Sequence, residues 1–95
     1  RYVEISDKHA LMEISVPKPL SGKKLRDLNL RKQYKINIVG IKSISPKVDD
    51  LGDIQYTIEM TDIPDPDYPL GKDDRLVIAG TDDNLRRFMR LGDVE

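Results

Sequence analysis

Two stretches of the chain alternate between apolar and polar residues, the pattern of a β-strand that buries one of its faces. In residues 11–16 the apolar positions include Met12, Ile14 and Val16, and they predict a first strand. Residues 54–60 show the cleanest alternation in the chain, so we expect a one-sided strand near the edge of a sheet.

Two other runs are apolar without such alternation. Residues 36–41 are rich in β-branched side chains and predict a central strand that is covered on both faces. Asn37 is the polar exception in this run, and we expect its side chain to be buried. Residues 75–79 predict a shorter buried strand, which Gly80 ends.

Apolar residues at helical spacing predict two helices. Leu25 and Leu28 are three positions apart, and we expect the first helix to begin near Lys23. The second helix begins after Thr81, a favourable N-cap residue, and Gly92 ends it. Its side chains expected in the core are Leu85, Phe88 and Met89.

The order of these elements predicts the fold class. Residues 63–70 contain three prolines and therefore form a rigid loop between strands. The order strand, helix, strand, strand, strand, helix is typical of an α+β domain, with two helices on one small, mostly antiparallel sheet. We expect residues 1–95 to be a single domain.

Length and composition narrow the function classes. A chain of 95 residues has a thin core, which favours a stabilising partner. It lacks cysteine, which excludes disulfides and thiolate sites and fits a cytoplasmic protein, and His9 is its one histidine, which excludes a histidine-based zinc cluster. No apolar run is long enough to span a membrane. The chain begins at Arg1, so we expect a piece of a longer protein.

Charge is unevenly distributed along the chain. Residues 1–42 hold ten Lys and Arg against four Asp and Glu, whereas residues 43–74 hold two against nine. The basic half can meet an anion, and the acidic segment would repel one. The alternative is that both segments are simply solvated surface.

The residues offer binding chemistry and no catalytic set. There is no nucleophile with a base, no glycine-rich phosphate loop and no calcium-loop spacing, so we expect neither an enzyme nor a metal site. Arg31 lies between the first helix and the strand at residues 36–41, where its guanidinium can fork onto a phosphate. Asn37 adds a donor and an acceptor beside aliphatic walls. Alternatively, Arg31 is a solvated loop residue and Asn37 pairs with the backbone.

The segment from residue 20 to residue 41 resembles the C-terminal domain of RCK proteins, the regulators of potassium conductance of the TrkA and KtrA type. The matching positions are a glycine, a leucine-rich helix, an arginine and the apolar strand at residues 36–41: Gly22, Leu25, Leu28 and Arg31 precede that strand. Residues 66–80 and 81–88 are similar to the family's closing strand and final helix, and residues 1–9 to its linker from an N-terminal domain. Residues 43–62 are longer than the usual hairpin.

This resemblance implies a homodimer that follows a Rossmann-like nucleotide-binding domain and gates a membrane-embedded potassium transporter from the cytoplasmic side. In the KtrA-like branch the domain binds cyclic di-AMP at the dimer interface and needs no further cofactor. By this similarity, Arg31 and Asn37 meet the phosphate and ribose, and an aliphatic wall covers the adenine, formed by Leu25, Ile36 and Ile38 with Pro64 or Pro66 as further candidates.

Two other functions stay open at this point. The first is a ligand-free dimerisation module of a transporter regulator. The second is a nucleic-acid-binding fragment that uses the basic segment, which the acidic segment and the scarcity of aromatic residues disfavour. We expect no nucleic-acid partner.

Overall fold

A computed structural model describes residues 1–93 of the chain. The sheet consists of β1 (Tyr2–Glu4), β2 (His9–Ser15), β3 (Asn37–Val48), β4 (Ile54–Thr61) and β5 (Arg75–Thr81). The α-helices of the described chain are α1 (Leu25–Leu28), α2 (Leu30–Tyr34) and α3 (Asp82–Met89), with short 3-10 turns at Lys18–Leu20 and Arg90–Asp93. The strands lie in the order β1-β2-β5-β3-β4 and every neighbouring pair is antiparallel, so the predicted α+β class is confirmed.

The two edges of this sheet differ in how well the sequence predicted them. β4 is an edge strand, as its alternation indicated. β1 forms the other edge within residues 1–9, where we expected a linker, and it pairs with β2 from Tyr2 opposite Met12 to Glu4 opposite Ala10. The Tyr2 hydroxyl also donates a hydrogen bond to Asp82, at 3.0 Å. Three exposed residues give no periodic signal, so only their pairing reveals this strand.

The first predicted helix is two short helices. Asn29 separates α1 from α2 with a left-handed backbone at φ 48°. Asparagine tolerates this conformation better than most residues, so the break follows from a residue that the leucine spacing ignores. The break turns α2 so that Leu30 is buried while Arg31 stays exposed.

Helices cover one face of the sheet, and the hydrophobic core lies between these helices and the sheet. Ile36, Leu76, Ile78, Leu85 and Phe88 are each at most 1% exposed. The ring of Phe88 meets that of Tyr34 edge to face, with centroids 5.2 Å apart. The prediction for Met89 was wrong: this side chain is 41% exposed on the far side of α3.

β3 is interior to the sheet but not covered on both faces, which corrects the sequence prediction. A bulge at Val39 shifts the register with β5, from Ile38 opposite Ile78 to Gly40 opposite Val77. The extra residue keeps both Ile38 and Ile41 on the helix-covered face. Asn37 is exposed, so its predicted burial was also wrong.

A carboxylate with two cationic partners lies on the opposite, uncovered face of the sheet. Glu13 accepts hydrogen bonds from Lys42 at 2.6 Å and from Arg75 at 2.8 Å. The Lys42 bond is the main cause that lowers the pKa of Glu13, with the Arg75 bond next. A lowered pKa in the folded chain means that the ionised form of Glu13 favours folding.

We therefore expect Glu13→Gln to reduce the acid sensitivity of this domain. The stabilisation by ionised Glu13 is complete above the usual glutamate pKa of about 4.3 and is lost as the pH falls through its lower folded value. Urea midpoints at pH 6 and pH 3 measure the effect: the variant's deficit at pH 6 should shrink at pH 3. Glu59→Gln, at a solvent-exposed carboxylate, is the matched control and should show no such change. An equal deficit at both pH values would contradict the assignment.

Candidate ligand-binding cleft

An open cleft of about 430 Å³ lies where β3 loses its outer neighbour. β4 ends at Thr61, opposite Ile41. Residues 37–40 of β3 therefore have β5 as their neighbour along one side and no strand along the other. The α1–α2 turn and the proline loop, residues 62–73, close the space on its other sides. The cleft is lined by Leu25, Arg26, Asn29, Leu30, Arg31, Asn37, Ile38, Pro64 and Pro66.

Six of the seven sequence-predicted site residues line this one cleft. They come from three separate stretches of the chain and are Leu25, Arg31, Asn37, Ile38, Pro64 and Pro66. The seventh, Ile36, lies outside the cleft and is completely buried. It precedes β3 and packs under Gly80, where an added Cβ would lie 3.3 Å from the Ile36 methyl carbon. The roles of the six in binding a ligand stay predictions.

Arg31 is the cation that this cleft leaves available. Within residues 1–93 its guanidinium is paired with no carboxylate. It lies in α2, whose last turn is fastened by α3: Asn84 donates to the Lys35 carbonyl at 3.3 Å, and Arg87 donates to the Tyr34 carbonyl at 3.2 Å. The side chain is therefore solvated while its backbone is held in place.

Arg26 also lines the cleft, but its charge is already neutralised. Its guanidinium donates two hydrogen bonds to the Asp67 carboxylate, at 2.6 and 3.1 Å. These bonds are the main cause that lowers the pKa of Asp67. Both side chains are more than half exposed, so this pair adds little stability. Its effect is to hold the proline loop beside α1.

The proline loop is further joined to residues 22–26 through the backbone. Gly22 donates to the Leu70 carbonyl at 2.7 Å, and Arg26 donates to the Pro66 carbonyl at 2.8 Å. At the other end of the loop, the Tyr68 hydroxyl donates to buried Asp74, which also accepts from the Gly71 amide at 2.8 Å. The wall that Pro64 and Pro66 give to the cleft is thus fixed before any ligand arrives.

Three lining residues were missed by the sequence reasoning. Arg26 was seen only as part of a basic run, and its role depends on Asp67, 41 positions away. Leu30 lines the bottom of the cleft and is buried, and its sequence position indicated only a core residue of a helix. Asn29 gave a usable signal, since asparagine adopts the left-handed conformation more readily than most residues.

The cleft combines one available guanidinium, two amide side chains and an apolar wall. Arginine gives a forked contact to a phosphate or carboxylate, and the amides of Asn29 and Asn37 can both donate and accept. Leu25, Ile38 and the prolines can cover a flat apolar group. The arrangement suits an anion that carries a planar ring.

Comparison with known proteins identifies the family. The model of the TrkA-C domain matches residues 11–91. The chain belongs to the TrkA-C domain family. Among curated proteins, it is 30% identical over 91 residues to the Ktr system potassium uptake protein A of Bacillus subtilis (strain 168), which covers 96% of this chain and 35% of that protein. It is 49% identical over 41 residues to the Ktr system potassium uptake protein C of the same organism, which covers 43% of this chain and 19% of that one.

Solved structures of the family share this fold. The KtrA RCK C domain, solved in complex with cyclic di-AMP, superposes with a TM-score of 0.68 at 30% identity, covering 88% of this chain and 84% of that one. The GsuK RCK domain gives a TM-score of 0.60 at 22% identity and covers 94% of this chain and 17% of that chain. At that identity the likeness concerns the fold alone. The RCK C-terminal fold that the sequence predicted is confirmed.

Nearly all of this chain matches the Ktr system potassium uptake protein A, but the match spans only about a third of the length of that protein. No helix in residues 1–93 has the length and apolar character needed to cross a bilayer.

Proposed function

We propose that this TrkA-C domain is the nucleotide-sensing regulatory domain of a potassium uptake system, and that its ligand is cyclic di-AMP. The observation that carries the proposal is the meeting of six predicted site residues in one cleft. The similarity to a KtrA domain solved with cyclic di-AMP supports the choice of ligand. In this proposal the domain binds and does not catalyse.

The chemistry of the cleft fits one half of that ligand. A volume of about 430 Å³ lies at the lower end of the range for small-molecule pockets. Arg31 would contact a phosphate, Asn37 the phosphate or ribose, and Leu25, Ile38 and the proline wall the adenine. Ile36 has no direct role, because it is buried beneath the sheet surface.

The symmetry of the ligand accounts for the openness of the cleft. Cyclic di-AMP has a two-fold axis, and a two-fold dimer presents two identical half-sites across its interface. Each chain would supply one Arg31 for one of the two phosphates. We therefore propose a homodimer in which the partner copy covers the open side of the cleft.

Residues 1–9 would connect this domain to an N-terminal nucleotide-binding domain, and the complete protein would act on a membrane-embedded transporter subunit from the cytoplasm. The relatives' names as potassium uptake proteins support this assignment. Ligand binding would change the dimer and so the state of the transporter.

Isothermal titration calorimetry of the domain with cyclic di-AMP tests this function. We expect saturable binding with one ligand for two chains, and much weaker binding of AMP and of cyclic di-GMP. Absence of binding at high micromolar ligand would leave the ligand-free dimerisation module as the better explanation. Salt-sensitive binding of single-stranded DNA or RNA at physiological salt would favour the nucleic-acid alternative.

A further inference from the structure

The proline loop forms one wall of the cleft but receives little support from the hydrophobic core. Among residues 62–73, Leu70 is the one buried side chain, and Tyr68 is half-buried against the core. A second hollow, of about 240 Å³, adjoins the loop, and Pro64 lines both this hollow and the cleft. Core packing therefore does not fix the wall, and polar contacts must hold it in place.

Residues 65–68 form a tight turn that carries Pro66. The Tyr68 amide donates to the Asp65 carbonyl at 2.9 Å, and the Asp67 amide donates to the Asp65 carboxylate at 2.8 Å. Aspartate at the first position and proline at the second favour a turn of this kind. Because proline also restricts its own backbone, the turn moves as a unit. Contacts that hold Tyr68 at one end of the turn therefore also hold Pro66.

Tyr68 joins this turn to two other parts of the domain. Its hydroxyl donates to Asp74, which directly precedes β5 and is 7% exposed. The Ser43 hydroxyl of β3 lies 3.3 Å from the same oxygen. The Tyr68 carbonyl accepts a hydrogen bond from the amide of Leu25, the first residue of α1, at 3.3 Å. The turn is thus bound to the sheet through the side chain and to the helix through the backbone.

We propose that Tyr68 is a positioning residue for the cleft: its hydroxyl fixes the turn that presents Pro66 and keeps Pro64 beside the cleft. This inference rests on the proposed function, since the wall affects affinity only if the ligand packs against it. Tyr68 does not itself line the cleft, so it acts through the prolines. A wall that is ordered in advance spares the ligand the entropic cost of ordering the loop.

Tyr68→Phe tests this role, because it removes the hydroxyl and keeps the ring that packs against the core. Tyr34→Phe is the matched control, since it removes a hydroxyl from another half-buried tyrosine of the same core, outside the cleft. In calorimetry with cyclic di-AMP, we expect Tyr68→Phe to weaken binding about five- to tenfold and Tyr34→Phe to change it less than about twofold.

Amide hydrogen exchange, followed by NMR without ligand, reports on the loop directly. The amides of Leu25 and Arg26 donate to the Tyr68 and Pro66 carbonyls. We expect both to exchange more than about tenfold faster in Tyr68→Phe, while the amides of α3 keep their wild-type rates. A general loss of stability would instead accelerate exchange in α3 as well.

Wild-type affinity of Tyr68→Phe, unchanged exchange at Leu25 and Arg26, or equal acceleration in α3 would each overturn the positioning role. If the wild-type protein does not bind cyclic di-AMP, the proposed function fails, and the exchange rates still decide whether Tyr68 fixes the wall. Should Tyr68→Phe fail to fold because Asp74 loses a partner, the double variant Tyr68→Phe with Asp74→Asn leaves no unpaired buried charge and is measured in the same way.

Discussion

Replacing Arg31 with alanine is expected to weaken the binding of cyclic di-AMP about a hundredfold or more while leaving the domain folded. Arg31 is exposed, lines the cleft and is paired with no carboxylate in the described chain, so its removal breaks no internal ion pair. A hydrogen bond to a charged group contributes about 1.5–3 kcal/mol, and each half-site of the proposed dimer would lose one. At about 1.4 kcal/mol per factor of ten, two such losses exceed a hundredfold. Isothermal titration calorimetry measures the change.

Lys32→Ala is the matched control for this variant. Lys32 follows Arg31 in α2, is exposed and does not line the cleft, so its loss should change the affinity less than about twofold. Asn37→Ala should weaken binding as well, and its exposure means that the result can be read without a loss of folding. If an Arg31→Ala protein keeps the wild-type affinity, the wild-type circular dichroism spectrum and the wild-type oligomer mass in solution, the ligand binds outside this cleft.

Phe88→Ala is expected to have the largest effect on stability, about 3–5 kcal/mol. The Phe88 side chain is 0% exposed and joins α3 to α2 through its edge-to-face contact with Tyr34. Domains of this size have total stabilities toward the low end of the usual range of about 5–15 kcal/mol, so we expect the variant to be largely unfolded at 37 °C. Urea denaturation followed by circular dichroism gives the free energy of unfolding.

The neighbouring residue supplies the control for the core variant. Met89 lies in the same turn of α3 but is 41% exposed, so Met89→Ala should cost less than about 1 kcal/mol. A Phe88→Ala protein that unfolds at the wild-type urea concentration would mean that the helix-covered face is not the main core of the domain.

Much of the fold was predictable because its signals are local. The alternation of β4, the proline loop, the N-cap at Thr81 and the α+β order depend on residues a few positions apart, and each is found in the structure. The resemblance to RCK C-terminal domains depends on the contiguous segment from residue 20 to residue 41, which also contains Leu25, Arg31 and Asn37 of the cleft.

The sequence by itself determined the family, the fold class and most of the residues around the cleft. Tertiary structure alone decided that Ile36 is buried, because it packs beneath Gly80. It also decided that Asn37 is exposed, because the bulge at Val39 sets which face each residue of β3 presents. It also decided that Arg26 is paired and Arg31 is not, since the partner Asp67 is distant in sequence. Side-chain periodicity reports which residues can share a face, whereas register and long-range pairing determine what that face meets.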